Sequence, residues 1–392
     1  MSDQSRRASH EGRHLPPRPA AFPFLDLRAQ FAGIKTEVMQ AVSRVMESQQ
    51  FILGPEVEAL ERELAGFLQV RFAITCASGS DALWLALLAT GVGPGDEVIT
   101  TPFTFVATAG SVARAGAKPV FVDIDPATYN INASLVEAAI TKRTRAIIPV
   151  HLFGLAADLD PILKLANEYK LAVIEDAAQA IGAQYKGASV GNSGTLGCFS
   201  FFPSKNLGAA GDGGLITTND AGLAERVRLL RVHGGHNKYN AEILGTNSRL
   251  DALQAAILRV KLAHLNAWNS ARQKKAECYR ALFRKHGLDR KIGLPQCPPD
   301  RVHVYNQFTI RCPHRDPLRE FLKTRGIPSD VYYPIPLHLQ AAFAYLGYRA
   351  GQFPESERAG REVLSLPNYP ELSEDQQSAV VEAIRDFYAT IS

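Results

Sequence analysis

From about residue 55 the chain alternates helix-patterned stretches with short, almost wholly apolar runs, and this alternation restricts its fold more than any other feature. EVEALERELAGFL places Val57, Leu60, Leu64 and Phe67 on one face at helical spacing. Apolar runs follow as DEVITT, AKPVFVDI, RAIIPVHLFG and KLAVIEDAA, each trailed by small, turn-forming or helix-favouring residues. Strands with little alternation are covered on both faces, and helices between them make parallel crossovers. The expectation is an α/β fold with a largely parallel sheet flanked by helices. After about residue 250 the character changes. LDALQAAILRVKLAHLNAWNSARQKKAECYRALFRK reads as one long helix, QFTIRC as a strand and DPLREFLKTRG as another helix. The organisation expected is a tail over 1–20, a large α/β domain over 21–250 and a smaller α+β domain over 251–392.

Composition agrees with that size of core. Of 392 residues, 46% are hydrophobic and 21% charged, enough to build two domains. The formal net charge is +4, and the tail MSDQSRRASHEGRHLPPRPA holds Arg6, Arg7, Arg13 and Arg18 against Asp3 and Glu11. The rest is near neutral, so a nucleic-acid partner is not expected. The tail is polar, contains prolines and lacks apolar periodicity, which predicts a disordered extension and not a signal peptide. No long uncharged apolar run marks a membrane span, and a cytoplasmic location is expected. The five cysteines, Cys76, Cys198, Cys278, Cys297 and Cys312, form no CxxC pair, which argues against a disulfide framework and a zinc site. His233 and His236 in HGGHNKY lack a third nearby ligand, and no metal is expected there.

The segment most informative about chemistry is GTLGCFSFFPSKNLGAAGDGG, where Lys205 sits among small residues between two strand-like runs. A lysine held in a tight loop serves as a nucleophile when its surroundings favour the neutral amine. Alone, it reads more readily as an exposed loop lysine. Asp176 ends the strand of VIEDAAQA, 29 residues before Lys205. A carboxylate at the carboxyl end of a parallel strand can point into the crevice where such sheets bind ligands, or it can cap the next turn. CASGSDALWLALLAT runs from a small-residue turn into an apolar helix, leaving Gly79 and Ser80 at a helix N-terminus, a general anion site. Dinucleotide and P-loop fingerprints are absent. Phe105 in TPFTFVATAG offers an aromatic face on a turn, for a ring to stack on or for the core.

Together these motifs resemble the DegT/DnrJ/EryC1/StrS sugar aminotransferases, and the resemblance runs from FPFLDLRAQ to LSLPNYPEL. It implies fold type I and pyridoxal 5′-phosphate (PLP) as cofactor. By resemblance, Lys205 in FFPSKNLG matches the lysine that forms the Schiff base, Asp176 in EDAAQA the aspartate on the pyridine nitrogen, and Gln179 the residue beside the ring hydroxyl. Gly79, Ser80 and Ser200 resemble phosphate ligands, and Phe105 the stacking residue. Asn247 in GTNSRLDALQAA resembles an asparagine that reaches the phosphate of the neighbouring subunit, which implies a homodimer with shared sites. His151 in HLFG, Arg249 in NSRLD and His338 in YYPIPLHLQ match positions that line the site or the sugar pocket; from the residues alone, His151 is equally a satisfied strand-end histidine, and for Arg249 a helix-start ion pair is the lesser alternative.

The resemblance implies amino transfer from an amino acid, L-glutamate by expectation, to a nucleotide-linked keto-sugar. The stretch HNKYNAEILGTNSRLDALQAAILRVKLAHLNAWNSAR is more similar to enzymes acting at C3 than to those acting at C4. A related dehydratase has histidine where this chain has Lys205. A non-catalytic regulatory homologue is the reading from another class; no helix-turn-helix pattern accompanies it here.

Overall fold

The computed structural model describes residues 22–237 and 239–391. The tail expected over 1–20 therefore lies outside the described residues.

Two helices open the chain. α1 (Leu27–Ser48) is capped by Asp26, whose carboxylate accepts the Arg28 and Ala29 N–H groups, and α2 (Pro55–Leu68) starts on a proline. Val57, Leu60 and Leu64 are buried on one face of α2, as their spacing predicts, and Phe67 is half-buried against the same core. The α/β body then follows in order: β1 (Phe72–Cys76), α3 (Gly79–Ala89), β2 (Glu97–Thr100), α4 (Val106–Arg114), β3 (Lys118–Phe121), β4 (Thr144–Ile147), α5 (Leu159–Tyr169) and β5 (Ala172–Asp176). A small hairpin, β6 (Gln184–Tyr185) and β7 (Ala188–Ser189), precedes β8 (Leu196–Ser200), β9 (Gly214–Thr218) and α6 (Ala221–Leu230).

The main sheet has seven strands in the order β1-β9-β8-β5-β4-β2-β3. The run from β8 to β3 is parallel, while β9 is antiparallel to both its neighbours. Helices cover both faces. Leu60, Leu64, Phe199, Leu215 and Leu258 share one core, and Ile74, Leu83, Leu85, Val98 and Ile216 share another. The buried strands thus need no alternation, which is why they read as continuous apolar runs.

α7 (Ala252–Lys285) links this body to the remainder. Its first half packs on α1 and α2 through Ala256, Ile257 and Leu258. Its second half sends Ala276, Tyr279 and Phe283 into a core with β11 (Phe308–Arg311), α8 (Arg315–Thr324), α9 (Pro354–Glu362), β12 (Val363–Leu366) and α10 (Glu374–Thr390). The short β10 (Arg301–Val302) pairs back onto β6, and β11 pairs with β12. Among the described residues no helix is long and apolar enough to cross a membrane.

Candidate active site

The site lies where the parallel strands end. The Asp176 backbone is locked at the end of β5: its N–H donates to the Pro149 carbonyl at 2.9 Å and its carbonyl accepts the His151 N–H at 3.0 Å. Successive residues of a strand point to opposite faces, so Glu175 and Asp176 are sent to different surroundings. Asp176 lines a cavity of about 360 Å³. Its Oδ2 accepts the Thr108 hydroxyl at 2.8 Å and its Oδ1 the Ala178 N–H at 3.2 Å. Burial pushes this carboxyl above the ordinary range, against the pull of those two hydrogen bonds and of Lys205. A buried carboxyl of this kind is held ionised by a cation brought to it.

Glu175 has the opposite balance. It is buried, yet it accepts the N–H groups of Gly191 at 2.7 Å, Ser193 at 3.0 Å and Gly194 at 2.6 Å, and bonds His151 Nε2 at 2.8 Å. Burial pushes its carboxyl up, but His151 and those N–H groups overcome it and hold the pKa below the usual value of 4.5. His151 Nδ1 accepts the Ala157 N–H at 3.0 Å, so Nε2 carries the hydrogen donated to Glu175. With both nitrogens engaged, His151 offers the cavity a ring face.

Glu175→Gln should therefore destabilise the protein by about 3 kcal/mol at neutral pH. A lowered folded pKa stabilises above the unfolded value and is lost as pH falls through the folded one. The gap between parent and variant urea midpoints should be full at pH 7 and narrower below the ordinary glutamate range. An unchanged gap would contradict this account.

Lys205 is presented by the loop from β8 to β9. The loop closes on itself: Phe201 N–H donates to Gly213 at 2.8 Å, Ala209 N–H to Phe201 at 2.7 Å and Lys205 N–H to Phe202 at 2.9 Å. A Cβ on Gly208 would stand 2.3 Å from the Pro203 carbonyl oxygen, so only glycine closes this turn. Lys205 lines the same cavity as Asp176. Burial pushes its amine down to about 8, against the Asp176 carboxylate. At pH 7 roughly a tenth of such an amine is neutral, against fewer than about one in a thousand for an ordinary lysine.

α3 delivers its first turn to this cavity. Ser78 is its N-cap: the Ser78 Oγ accepts the Asp81 N–H at 3.1 Å and the Ser78 carbonyl the Ala82 N–H at 2.9 Å. The N–H groups of Gly79 and Ser80 are left without a protein acceptor among the described residues, as the first turn of a helix requires. A Cβ on Gly79 would lie 2.6 Å from the Ser200 Cβ, so the glycine lets the ends of β8 and α3 meet. Gly79, Ser80 and Ser200 all line the cavity.

Phe105 also lines it and is 55% exposed, with its ring 6.1 Å from that of Tyr333. Gln179 is held in one orientation, its Oε1 accepting the Phe153 N–H at 2.7 Å and its Nε2 donating to the Tyr333 hydroxyl at 3.2 Å. Tyr333, Asn306 and Gln307 bring the C-terminal part into the wall, and Thr108 anchors Asp176. Sequence reasoning missed these four. Only Thr108, three residues after Phe105, had a local signal.

Three expected residues lie outside this chain's cavity lining. Asn247 is exposed in a turn bridged to Val232, and Arg249 is half-buried two residues on. The His338 side chain is fully buried, with Nε2 3.1 Å from Glu357 of α9 and the ring against Phe353. The Leu337 N–H is pinned to the Pro102 carbonyl at 2.7 Å, and the turn that follows directs His338 into the protein.

The fold and cavity are those of a PLP-dependent aminotransferase of fold type I. The solved structure of S. venezuelae DesV superposes with a TM-score of 0.90 at 44% identity, covering 93% of this chain and 98% of that one. The chain belongs to the DegT/DnrJ/EryC1/StrS aminotransferase family, whose family model matches residues 33–385. A protein of Geobacillus stearothermophilus called pleiotropic regulatory protein is 56% identical over 93% of this chain and 98% of its own. The UDP-N-acetyl-3-dehydro-alpha-D-glucosamine 3-aminotransferase of Acidithiobacillus ferrooxidans is 48% identical over 93% of this chain and 97% of its own.

The residues present fit PLP. A buried carboxyl that needs a cation, a lysine with a depressed pKa, and a helix N-terminus with free N–H groups share a cavity within the usual size for a small-molecule site.

Proposed function

We propose that this chain transfers an amino group from an amino acid, L-glutamate in this reading, to C3 of a nucleotide-linked keto-sugar in amino-sugar biosynthesis. The observation that carries the proposal is the meeting of Lys205, Asp176 and the first turn of α3 around one cavity. The choice of C3 is supported by the A. ferrooxidans relative, whose name specifies a 3-aminotransferase.

In this reading PLP supplies an electron sink when bound. Asp176 keeps a proton on the pyridine nitrogen, and the hydrogen bonds of Thr108 and Ala178 fix the carboxylate in place. Lys205 would hold the cofactor, and its Nζ is the base that would take the proton from the donor's Cα and later give one to sugar C3. The N–H groups of Gly79 and Ser80, with Ser200, hold the phosphate. Phe105 would cover the ring and Gln179 would face its hydroxyl. His151, Arg249 and His338 were expected on the substrate side; of these His151 alone reaches this chain's cavity.

Asn247 completes the phosphate site of a partner subunit, which accounts for an exposed asparagine away from its own chain's cavity. The same reading divides the chain near residue 251, with α7 as the joining helix, and places the protein in the cytoplasm. Regulation and catalysis are compatible, so the name of the G. stearothermophilus relative does not compete with this activity.

The test is a panel of 3-keto and 4-keto nucleotide sugars, with glutamate as donor, followed by product regiochemistry. Amination of a 3-keto substrate is expected. Turnover confined to 4-keto sugars would contradict the assignment.

A further inference from the structure

α7 carries a polar ladder that the chemistry above does not use. Gln254, Lys261 and Asn269 fall on the helix stripe that also holds the buried Leu258 and Leu265, with spacings of three and four residues. All three side chains end on the loop that presents Lys205. Gln254 Oε1 accepts the Ala210 N–H at 2.8 Å, Lys261 Nζ donates to the Gly208 carbonyl at 2.5 Å, and Asn269 Oδ1 accepts the Asn206 Nδ2 at 2.7 Å. Asn269 is in turn tied to the Ile181 carbonyl at 3.1 Å, and Asn206 Oδ1 accepts the Asn306 Nδ2 at 2.9 Å.

The loop is thus two-faced. Phe202, Ser204, Lys205 and Asp212 line the cavity, while Asn206, Gly208 and Ala210 are bound to α7. Lys261 is the unusual member. It is half-buried, its amine rests on a carbonyl, and burial alone pushes its pKa down to about 8. Placing a cation there is unfavourable unless its hydrogen bond is used, and a charge-assisted bond to a carbonyl is stronger than a neutral one.

We propose that Gln254, Lys261 and Asn269 are positioning residues that clamp the back of the Lys205 loop, with the Lys261 bond to the Gly208 carbonyl as the principal grip. The inference rests on Lys205 being the lysine that bears the cofactor. Without the grip the loop opens, the Lys205 amine gains water and a proton, and its attachment to an aldehyde slows.

Lys261→Met keeps the length of the side chain and removes the donor, while Lys261→Arg keeps a donor. Cofactor-free protein of each kind is mixed with PLP at neutral pH, and the product is fixed with borohydride at intervals and mapped by peptide mass. Attachment at Lys205 should be about tenfold slower in Lys261→Met, as a rise of about one in the amine's pKa would give, and within about twofold of the parent in Lys261→Arg. A merely structural role would not be rescued in this way.

Lys261→Met loading at the parental rate, or Lys261→Arg loading as slowly as Lys261→Met, would overturn the clamp. If Lys261→Met does not fold, Gln254→Leu decides the matter: slower attachment supports the clamp and parental attachment overturns it. A parent protein that takes up PLP elsewhere than Lys205 overturns the underlying assignment together with the clamp.

Discussion

Lys205→Ala should lose amino transfer by a factor on the order of 10³ to 10⁴ while keeping its fold. The side chain lines a cavity, and the loop closes through backbone bonds of Phe201, Phe202, Ala209 and Gly213. What disappears is an amine that faces Asp176 and is depressed enough to be neutral in useful amount. The same variant tests whether each site is built from two chains. Under the proposed shared site, an Asn247→Asp protein would set a negative charge against the partner's bound phosphate, and it too should be poorly active. In a mixed dimer one site carries both lesions and the other neither, so random exchange at equal amounts should restore about a quarter of parental activity. No recovery after verified exchange would mean that Asn247 serves its own chain or does not reach the cofactor.

Asp176→Asn is the second large effect, and its sign reverses with the cofactor. In the loaded enzyme the amide cannot hold a proton on the ring nitrogen, and turnover should fall by about 10² to 10³. In the cofactor-free protein the same change should stabilise. The parent carboxyl has its folded pKa raised by burial, so ionisation destabilises the fold once pH exceeds the unfolded value, and the effect vanishes below it. The variant should therefore melt above the cofactor-free parent at pH 7 and level with it in acid. Adding PLP should raise the parent's melting temperature more than the variant's. If the variant turned over near the parental rate, the electron-sink role of Asp176 would have to be abandoned.

The parts legible in the sequence were those in which pattern and chemistry are local. Apolar runs at Val98, Ile147 and Val173 became parallel strands because both faces of the sheet are covered. Lys205 and Gly208 lie in one short loop, and Ser78, Gly79 and Ser80 in one turn, so their context could be read without knowing the fold. The opposite direction of β9 left no such mark, because a short buried strand has the same composition either way. Nor could Tyr333 or Asn306 be found, since they meet Gln179 and Asn206 across 154 and 100 residues of chain. Glu175 stood beside Asp176 in plain view, yet its role depends on N–H groups that the 191–194 turn presents to it. His338 shows the converse: it lies in a recognisable segment, but its side chain is claimed by Glu357.

The central claim is that Lys205 is the residue joined to PLP. Incubating the purified chain with PLP, reducing it with borohydride and mapping the peptides by mass tests this directly. The account predicts a yellow protein, loss of colour on reduction, and one phosphopyridoxyl group per chain on the peptide that contains Phe202 to Leu207. An adduct on Lys261, on any other lysine, or on none would contradict it.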